Sequence, residues 1–213
     1  MDVVSVAFFY FWKMGNLFEK EPVHFDLQDA AIVYYPQFFE ADEADKAFGE
    51  LLNEIPWQQD NIKVYGKVHA QPRLTALFGN DGKPYSYSNI TMMPQPWNLL
   101  LQKIKLKVET VCDVNFTTVL LNLYRDGKDS NGWHADNEKE LGKNPVIASL
   151  SFGAERVFQL KHNSKPELKQ SIILENGSLL LMKGTTQHYW KHQIPKTAKP
   201  IGPRINLTFR VIH

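Results

Sequence analysis

The sequence predicts a mainly β domain with flanking helices, an α+β arrangement in which helices pack on a β-sandwich or jelly roll. Three observations predict it. Two segments of helical periodicity lie in the first half, about seven strand-like runs crowd the chain after residue 115, and no repeat, low-complexity tract or Gly/Ser linker divides the 213 residues.

The opening "MDVVSVAFFYFWKMGNLF" has about ten apolar residues, but no basic start and no small-residue cleavage site, so it does not read as a secretory signal. Residues 1–23 are expected to be an N-terminal extension, with Met14 as an alternative start, and residues 24–213 a single domain. "DEADKAFGELLNEI" (42–55) spaces Ala44, Phe48, Leu51, Leu52 and Ile55 at helical intervals, with acids in its first turn and Pro56 after it. "PWNLLLQKIKLKVETVCDV" (96–114) predicts a second helix, opened by Pro96 and striped with Leu100, Ile104 and Val108. Between them, Gly66 in "IKVYGKVHA" (62–70) predicts a hairpin. The later strands are "FTTVLLNLY", "PVIASLSFG", "RVFQLKH", the two halves of "SIILENGSLLLMKG" around an "ENGS" turn, and "RINLTFRVI".

Composition excludes several classes. The 24 Lys and Arg nearly balance the 23 Asp and Glu, so a polyanionic partner has to be met by local patches. The single cysteine, Cys112, rules out an internal disulfide framework, fits a reducing compartment and reads as a small buried apolar residue. No apolar run approaches the ~20 residues of a membrane helix.

Chemistry enters at "NGWHADNEKELG" (131–142), where His134 and Asp136 are two residues apart and share a face of an extended strand. Two histidines and one carboxylate on one face of Fe(II) leave the remaining positions open for a cosubstrate and oxygen. The third ligand has to come from later in the chain, and "QHYWKHQIP" (187–195) offers His188 and His192. In "PRINLTFRVI" (203–212), alternation puts Arg204, Asn206, Thr208 and Arg210 on one face and Ile205, Leu207 and Phe209 on the other. Two enclosed guanidiniums require anions, and a small dicarboxylate supplies two. Asn122 and Tyr124 share a face of "VLLNLYR" (119–125) and can hydrogen-bond the same acid. A metal triad beside a dicarboxylate clamp predicts an iron oxygenase that uses 2-oxoglutarate.

"NLYRDGKDSNGWHADNEKELG", "IASLSFGAERVF", "HYWKHQIPK" and "PRINLTFR" resemble the AlkB family of Fe(II)/2-oxoglutarate-dependent nucleic-acid dealkylases, on the branch that includes the eukaryotic DNA-repair homologues. The resemblance runs from about residue 24 to the end. It implies a double-stranded β-helix core with a nucleotide-recognition lid over 57–95. It assigns Fe(II) to His134, Asp136 and His192, choosing His192 over His188 by its place in "WKHQIP", and the 2-oxoglutarate clamp to Asn122, Tyr124, Arg204, Asn206, Thr208 and Arg210. For the substrate it implies Tyr87 stacked on a flipped base with His134 on the opposite face; Trp133 lies beside His134 in sequence, and Tyr85 belongs to the same "YSYSN" lid motif (85–89) as Tyr87. Tyr65 would wedge from the hairpin tip, Glu138 would lie near the base's exocyclic nitrogen, and the Pro72-Arg73 segment would approach the nucleic acid.

The activity implied is oxidative demethylation of 1-methyladenine- and 3-methylcytosine-type bases in DNA, with O2 consumed and formaldehyde, succinate and CO2 released. The same chemistry on RNA or protein is the alternative, and a catalytically silent nucleic-acid-binding module is a further rival. Two lysine groups, Lys161, Lys165 and Lys169, and Lys191, Lys196 and Lys199, are candidates for phosphate contact. Alkylated DNA is the expected partner, a monomer the expected state, and the compartment intracellular, cytoplasmic in a bacterium and nuclear in a eukaryote.

Overall fold

The computed structural model describes residues 20–64, 67–80, 85–87 and 90–213, with side chains placed except at 62–64, 67, 85–87, 90 and 91. Its strands, in chain order, are β1 (Val23–Phe25), β2 (Ala31–Tyr35), β3 (Asn61–Val64), β4 (Lys67–Ala70), β5 (Leu74–Gly79), β6 (Tyr85–Tyr87), β7 (Ile90–Met92), β8 (Thr118–Tyr124), β9 (Asn131–His134), β10 (Ile147–Gly153), β11 (Arg156–His162), β12 (Lys169–Leu174), β13 (Leu179–Lys183), β14 (Trp190–Ile194) and β15 (Arg204–Arg210). Helix α1 spans Ala41–Glu54, α2 Leu99–Glu109, and α3 is a single turn, Thr186–Tyr189.

A seven-stranded antiparallel sheet runs β1-β2-β13-β10-β15-β8-β5, and a four-stranded antiparallel sheet runs β12-β11-β14-β9. Alternation along each strand divides the apolar residues between two cores. Leu121, Leu123, Leu150, Phe152, Ile205, Leu207 and Phe209 leave one face of the large sheet and meet Ala44, Leu51, Leu101, Ile104 and Val108 of α1 and α2. Ile147, Leu180 and Met182 leave the other face and meet Phe158, Leu160, Ile172, Leu174, Trp190 and Ile194 of the small sheet. The molecule is therefore a jelly roll of two facing sheets with helices backing the larger one.

Strands are more widely spread than the sequence predicts. β1, β2 and β5 lie before residue 115 and complete both edges of the large sheet. "AIVYY" is short and continuously apolar, without the alternation that marks a half-exposed strand, and it is buried on both sides. The second helix is also shorter than the predicted 96–114. Asn98, not Pro96, opens it, because its side-chain oxygen accepts the Leu101 N–H at 2.8 Å. The helix ends at Glu109, whose Oε1 accepts the Phe116 N–H at 2.6 Å, while the Thr110 hydroxyl donates back to the Lys107 carbonyl at 2.7 Å. The predicted hairpin is present: β3 and β4 pair from Asn61↔Ala70 to Val64↔Lys67. In the "ENGS" turn Gly177 sits at φ +74°, where a Cβ would come within 2.7 Å of the Phe39 carbonyl.

Candidate metal and cosubstrate site

His134 ends β9 and His192 lies inside β14, and antiparallel pairing sets the two directly opposite each other. Alternation sends His192 inward with Trp190 and Ile194, so it faces the space between the sheets. Asp136 follows His134 by two residues and is buried. One ligand atom from each of these three side chains lies within 4.8 Å of the others. His188, the other candidate, is exposed on α3 and shares a hydrogen bond with Asn144 Oδ1 at 3.0 Å, so it is not part of the cluster.

Each ligand is held in a form that can bind a metal. His134 Nδ1 lies 2.8 Å from the Gly132 carbonyl, an acceptor, so Nδ1 carries the hydrogen and Nε2 keeps its lone pair. That lone pair faces the amide of Asn131 at 3.3 Å. The His192 ring stacks on Phe158 at 5.1 Å between centroids. Burial pushes the His192 imidazole down, with His134 and Arg210 adding repulsion, to a pKa of about 3; burial lowers His134 as well. For Asp136, burial alone would raise the carboxyl, but the Arg210 guanidinium, 2.9 Å from Oδ1, and the two imidazoles outweigh it and hold it at about 2. Near neutral pH the cluster therefore offers two uncharged imidazoles and one carboxylate, the state that metal ligation requires.

The large sheet supplies the other wall. Asn122, Tyr124, Arg204, Asn206, Thr208 and Arg210 all line the same cavity as the three ligands. Arg204 is fully buried, its Nη2 donates to Ser151 Oγ at 2.9 Å, and its Nε has no partner. No carboxylate among the described residues pairs with it, and burial, reinforced by Arg156, pushes its pKa down to about 10. The Tyr124 ring is near both cations, 5.2 Å from Arg204 and 5.5 Å from Arg156. A charged guanidinium enclosed without an anion is costly, so this wall is built for an acid that comes from outside the chain. The donor set fits the implied groups: two nitrogens and an oxygen for Fe(II), and an unpaired buried cation for a carboxylate of 2-oxoglutarate.

Of the predicted substrate residues, Trp133 and Glu138 are described and lie outside the lining of this cavity. Trp133 alternates to the opposite face of β9 from His134, is 38% exposed, and has Lys161 Nζ over its ring at 4.3 Å, so it is on the outer face of the small sheet. Glu138 is half-buried beside the 3-10 turn Lys139–Leu141; its Oε2 has no partner, and burial and Asp136 raise its pKa. Tyr85 and Tyr87 lie on β6, paired with β7, with side chains outside the described residues. Tyr65 falls wholly outside them.

Four residues join the site without having been singled out for it. Ser149 and Ser151 receive Asn206 Nδ2 and Arg204 Nη2, and the alternation of "IASLSF" against Ala148, Leu150 and Phe152 was a legible signal for them. Gln187 accepts the Asp136 N–H at 2.9 Å from a buried position that no sequence pattern marks. Arg73, expected to approach nucleic acid, is buried. Its Nε donates to Asn122 Oδ1 at 2.7 Å, because β5 pairs with β8 and brings the "QPR" segment to the pocket wall.

Residues 31–210 match the model of the 2OG-Fe(II) oxygenase superfamily. The chain is 42% identical over 187 residues to "Alpha-ketoglutarate-dependent dioxygenase alkB homolog 3" of Bos taurus, covering 84% of this chain and 65% of that one. It is 38% identical over 188 residues to "DNA oxidative demethylase ALKBH2" of Homo sapiens, covering 84% and 72% respectively. The chain thus spans just under two thirds of the length of the alkB homolog 3 relative. Its fold also superposes on the solved structure of OsALKBH1 with a TM-score of 0.59 at 16% identity, covering 90% of this chain and all of that one.

Proposed function

Because the chain belongs to the 2OG-Fe(II) oxygenase superfamily, we propose that it is an alkylated-DNA repair dioxygenase that demethylates N-alkylated bases. The observation that supports this best is the pairing of the His134–Asp136–His192 cluster with Arg204, a buried cation left without an acid. The relative named a DNA oxidative demethylase supports the substrate class. When bound, Fe(II) with 2-oxoglutarate and O2 supplies an oxidant able to hydroxylate a methyl group on nitrogen. The hydroxymethyl product then breaks its C–N bond, releasing formaldehyde and the hydroxyl proton and returning the electron pair to the ring nitrogen of the base.

The chain's own residues bind and orient. His134, Asp136 and His192 would hold the metal, with the Gly132 carbonyl fixing the His134 tautomer and Arg210 keeping Asp136 ionised. Arg204 would receive a carboxylate of 2-oxoglutarate, with Tyr124 and Asn122 beside it and Asn206, Thr208 and Arg210 completing the wall. Leu120, Phe158, Met182 and Ile194 are the apolar residues of the remaining lining. Residues 57–95 would serve as the nucleotide-recognition lid of a single domain over 24–213, with Tyr65, Tyr85, Tyr87 and Glu138 as the residues that recognise the base.

The outer face of the small sheet suits a phosphate backbone. Lys161 pairs directly with Lys169 on one side and Lys191 on the other, a row of like charges that no carboxylate among the described residues neutralises. Such a row is self-repulsive unless a polyanion lies along it. The protein acts as a monomer in a reducing, intracellular compartment, in keeping with its free, buried Cys112. Among the described residues no helix is long and apolar enough to cross a membrane.

The test is to load the protein anaerobically with Fe(II) and 2-oxoglutarate, admit air, and supply an oligonucleotide bearing one 1-methyladenine. Mass spectrometry should show the loss of one CH2 with wild type and none with His134→Ala. Succinate formed without that loss would move the substrate to RNA or protein. Neither product from iron-loaded protein would overturn the enzyme reading.

A further inference from the structure

Two asparagines line the cosubstrate wall, and they are wired differently. Asn206 uses both amide hydrogens within the protein, on Ser149 Oγ at 2.8 Å and the Leu150 carbonyl at 3.1 Å, and its Oδ1 accepts the Thr208 hydroxyl at 2.9 Å. It is a strut between β15 and β10. Asn122 has one side-chain bond, and there it is the acceptor: Arg73 Nε donates to its Oδ1 at 2.7 Å. A guanidinium has donors and no acceptor, so the atom that Asn122 turns toward Arg73 has to be its oxygen. The NH2 group is then turned away from Arg73, and no acceptor among the described residues takes it.

We infer that Arg73 is a positioning residue for the cosubstrate: it locks the Asn122 amide so that its NH2 is offered to an oxygen of 2-oxoglutarate in the pocket that Asn122 lines. The inference rests on the oxygenase reading above and adds a residue to it. Without Arg73 the amide could rotate and present its oxygen to an anion, turning an attraction into a repulsion. Arg73 is buried with no carboxylate in ion-pair range among the described residues, and its other bond, from Nη1 to the Ser130 carbonyl at 3.3 Å, reaches the residue before β9. The same side chain therefore touches the strand of the clamp and the root of the strand that ends in His134. It also closes the segment after the β3–β4 hairpin, where the Gln71 N–H bonds the Asp60 carbonyl at 2.8 Å and the Ser130 N–H bonds the Pro72 carbonyl at 2.9 Å. A displacement of that hairpin would be felt at Asn122 through this one guanidinium.

The test is a double-mutant cycle read by calorimetric titration of 2-oxoglutarate into anaerobic protein loaded with Mn(II). Arg73→Met should weaken 2-oxoglutarate binding roughly tenfold, the loss of about one well-aligned donor. Arg73→Lys keeps a donor-only group facing Oδ1 and should recover part of the loss. In an Asn122→Ala background, Arg73→Met should change nothing further. An Arg73→Met loss of the same size with Asn122 absent would show a merely structural role and overturn the inference, as would wild-type affinity in Arg73→Met. Should Arg73→Met fail to fold, Arg73→Lys carries the same cycle, with a smaller loss that must also vanish in Asn122→Ala. Wild-type protein that binds no 2-oxoglutarate would sink the oxygenase reading itself, a result separate from the cycle.

Discussion

Replacing Arg204 with methionine should stabilise the ligand-free protein while abolishing its response to 2-oxoglutarate. Arg204 is 1% exposed, its Nε has no partner, and burial pushes its pKa down to about 10, well below the usual guanidinium range. A cation whose folded pKa is depressed opposes folding at every pH below that value. The penalty is relieved as pH rises above about 10, where the unfolded chain still holds the proton and the folded one has lost it. At about 1.4 kcal/mol for each pKa unit, the depression corresponds to roughly 3 kcal/mol at neutral pH. Against this stands the charge-assisted bond from Arg204 Nη2 to Ser151 Oγ, worth about 1.5 kcal/mol or more, the attraction of Tyr124 being already included in the net shift. Methionine fills most of the volume, so the balance favours the variant by about 1–2 kcal/mol, or roughly 2–8 °C in Tm for a chain of this size.

Metal plus 2-oxoglutarate should reverse the order. Ligand at a hundred times its Kd adds about 2.7 kcal/mol to the protein that binds it and nothing to one that does not. Thermal melts of wild type and Arg204→Met, with and without Mn(II) and 2-oxoglutarate, measure all four states. A ligand-free variant that melts below wild type, or one that gains the same shift with ligand, would refute the claim that this wall is a cation waiting for an acid.

Gln187→Leu removes the acceptor of the buried Asp136 N–H, and metal titration should show affinity reduced about tenfold or more, the usual effect of losing a group that orients a ligand. Burial works against the charge of Asp129, but the Arg125 guanidinium, bonded through Nε and Nη2 at 2.8 and 2.9 Å, outweighs it and holds the carboxyl below its usual range. That stability is present above the unfolded value and lost as pH falls through the folded one, so Arg125→Met should move the acid-unfolding midpoint upward in a circular-dichroism titration. Lys169→Ala and Lys191→Ala should each flatten the dependence of log K on log salt for duplex DNA by about 0.9, measured by anisotropy; an unchanged slope would remove the outer face from the interface.

What the sequence made legible was what repeats locally. Alternation in "RINLTFR" separates four polar residues from three apolar ones, and β15 realises both faces, Arg204, Asn206, Thr208 and Arg210 toward the cavity and Ile205, Leu207 and Phe209 toward the helices. The same rule puts Asn122 and Tyr124 on the cavity side of β8. It also argues against Trp133 at the pocket, since a neighbour of His134 on a strand has to face the other way. Illegible were the contacts set by register between distant strands. Leu74↔Leu123 and Thr75↔Asn122 bring Arg73 to the clamp, and His192↔His134 closes the metal cluster, yet nothing near Arg73 or Gln187 announces either partner.

The division of labour between the sheets explains this asymmetry. The small sheet carries both histidines and the large sheet carries Arg204 and Arg210, and the Asp136–Arg210 bond at 2.9 Å spans the two. A metal site held by one sheet alone could be assembled by a local motif. Here the carboxylate that completes the triad is kept charged by a residue of the opposite sheet, so the site exists only when the two sheets face each other in register. Arg210→Met should therefore weaken metal binding even though Arg210 is no ligand, and more steeply as pH falls, because Asp136 would then gain a proton at a pH where the wild-type carboxyl is still ionised. Metal titrations at two pH values decide it: equal losses at both would mean that Arg210 merely packs, and a loss that grows at the lower pH would mean that charge is what it supplies.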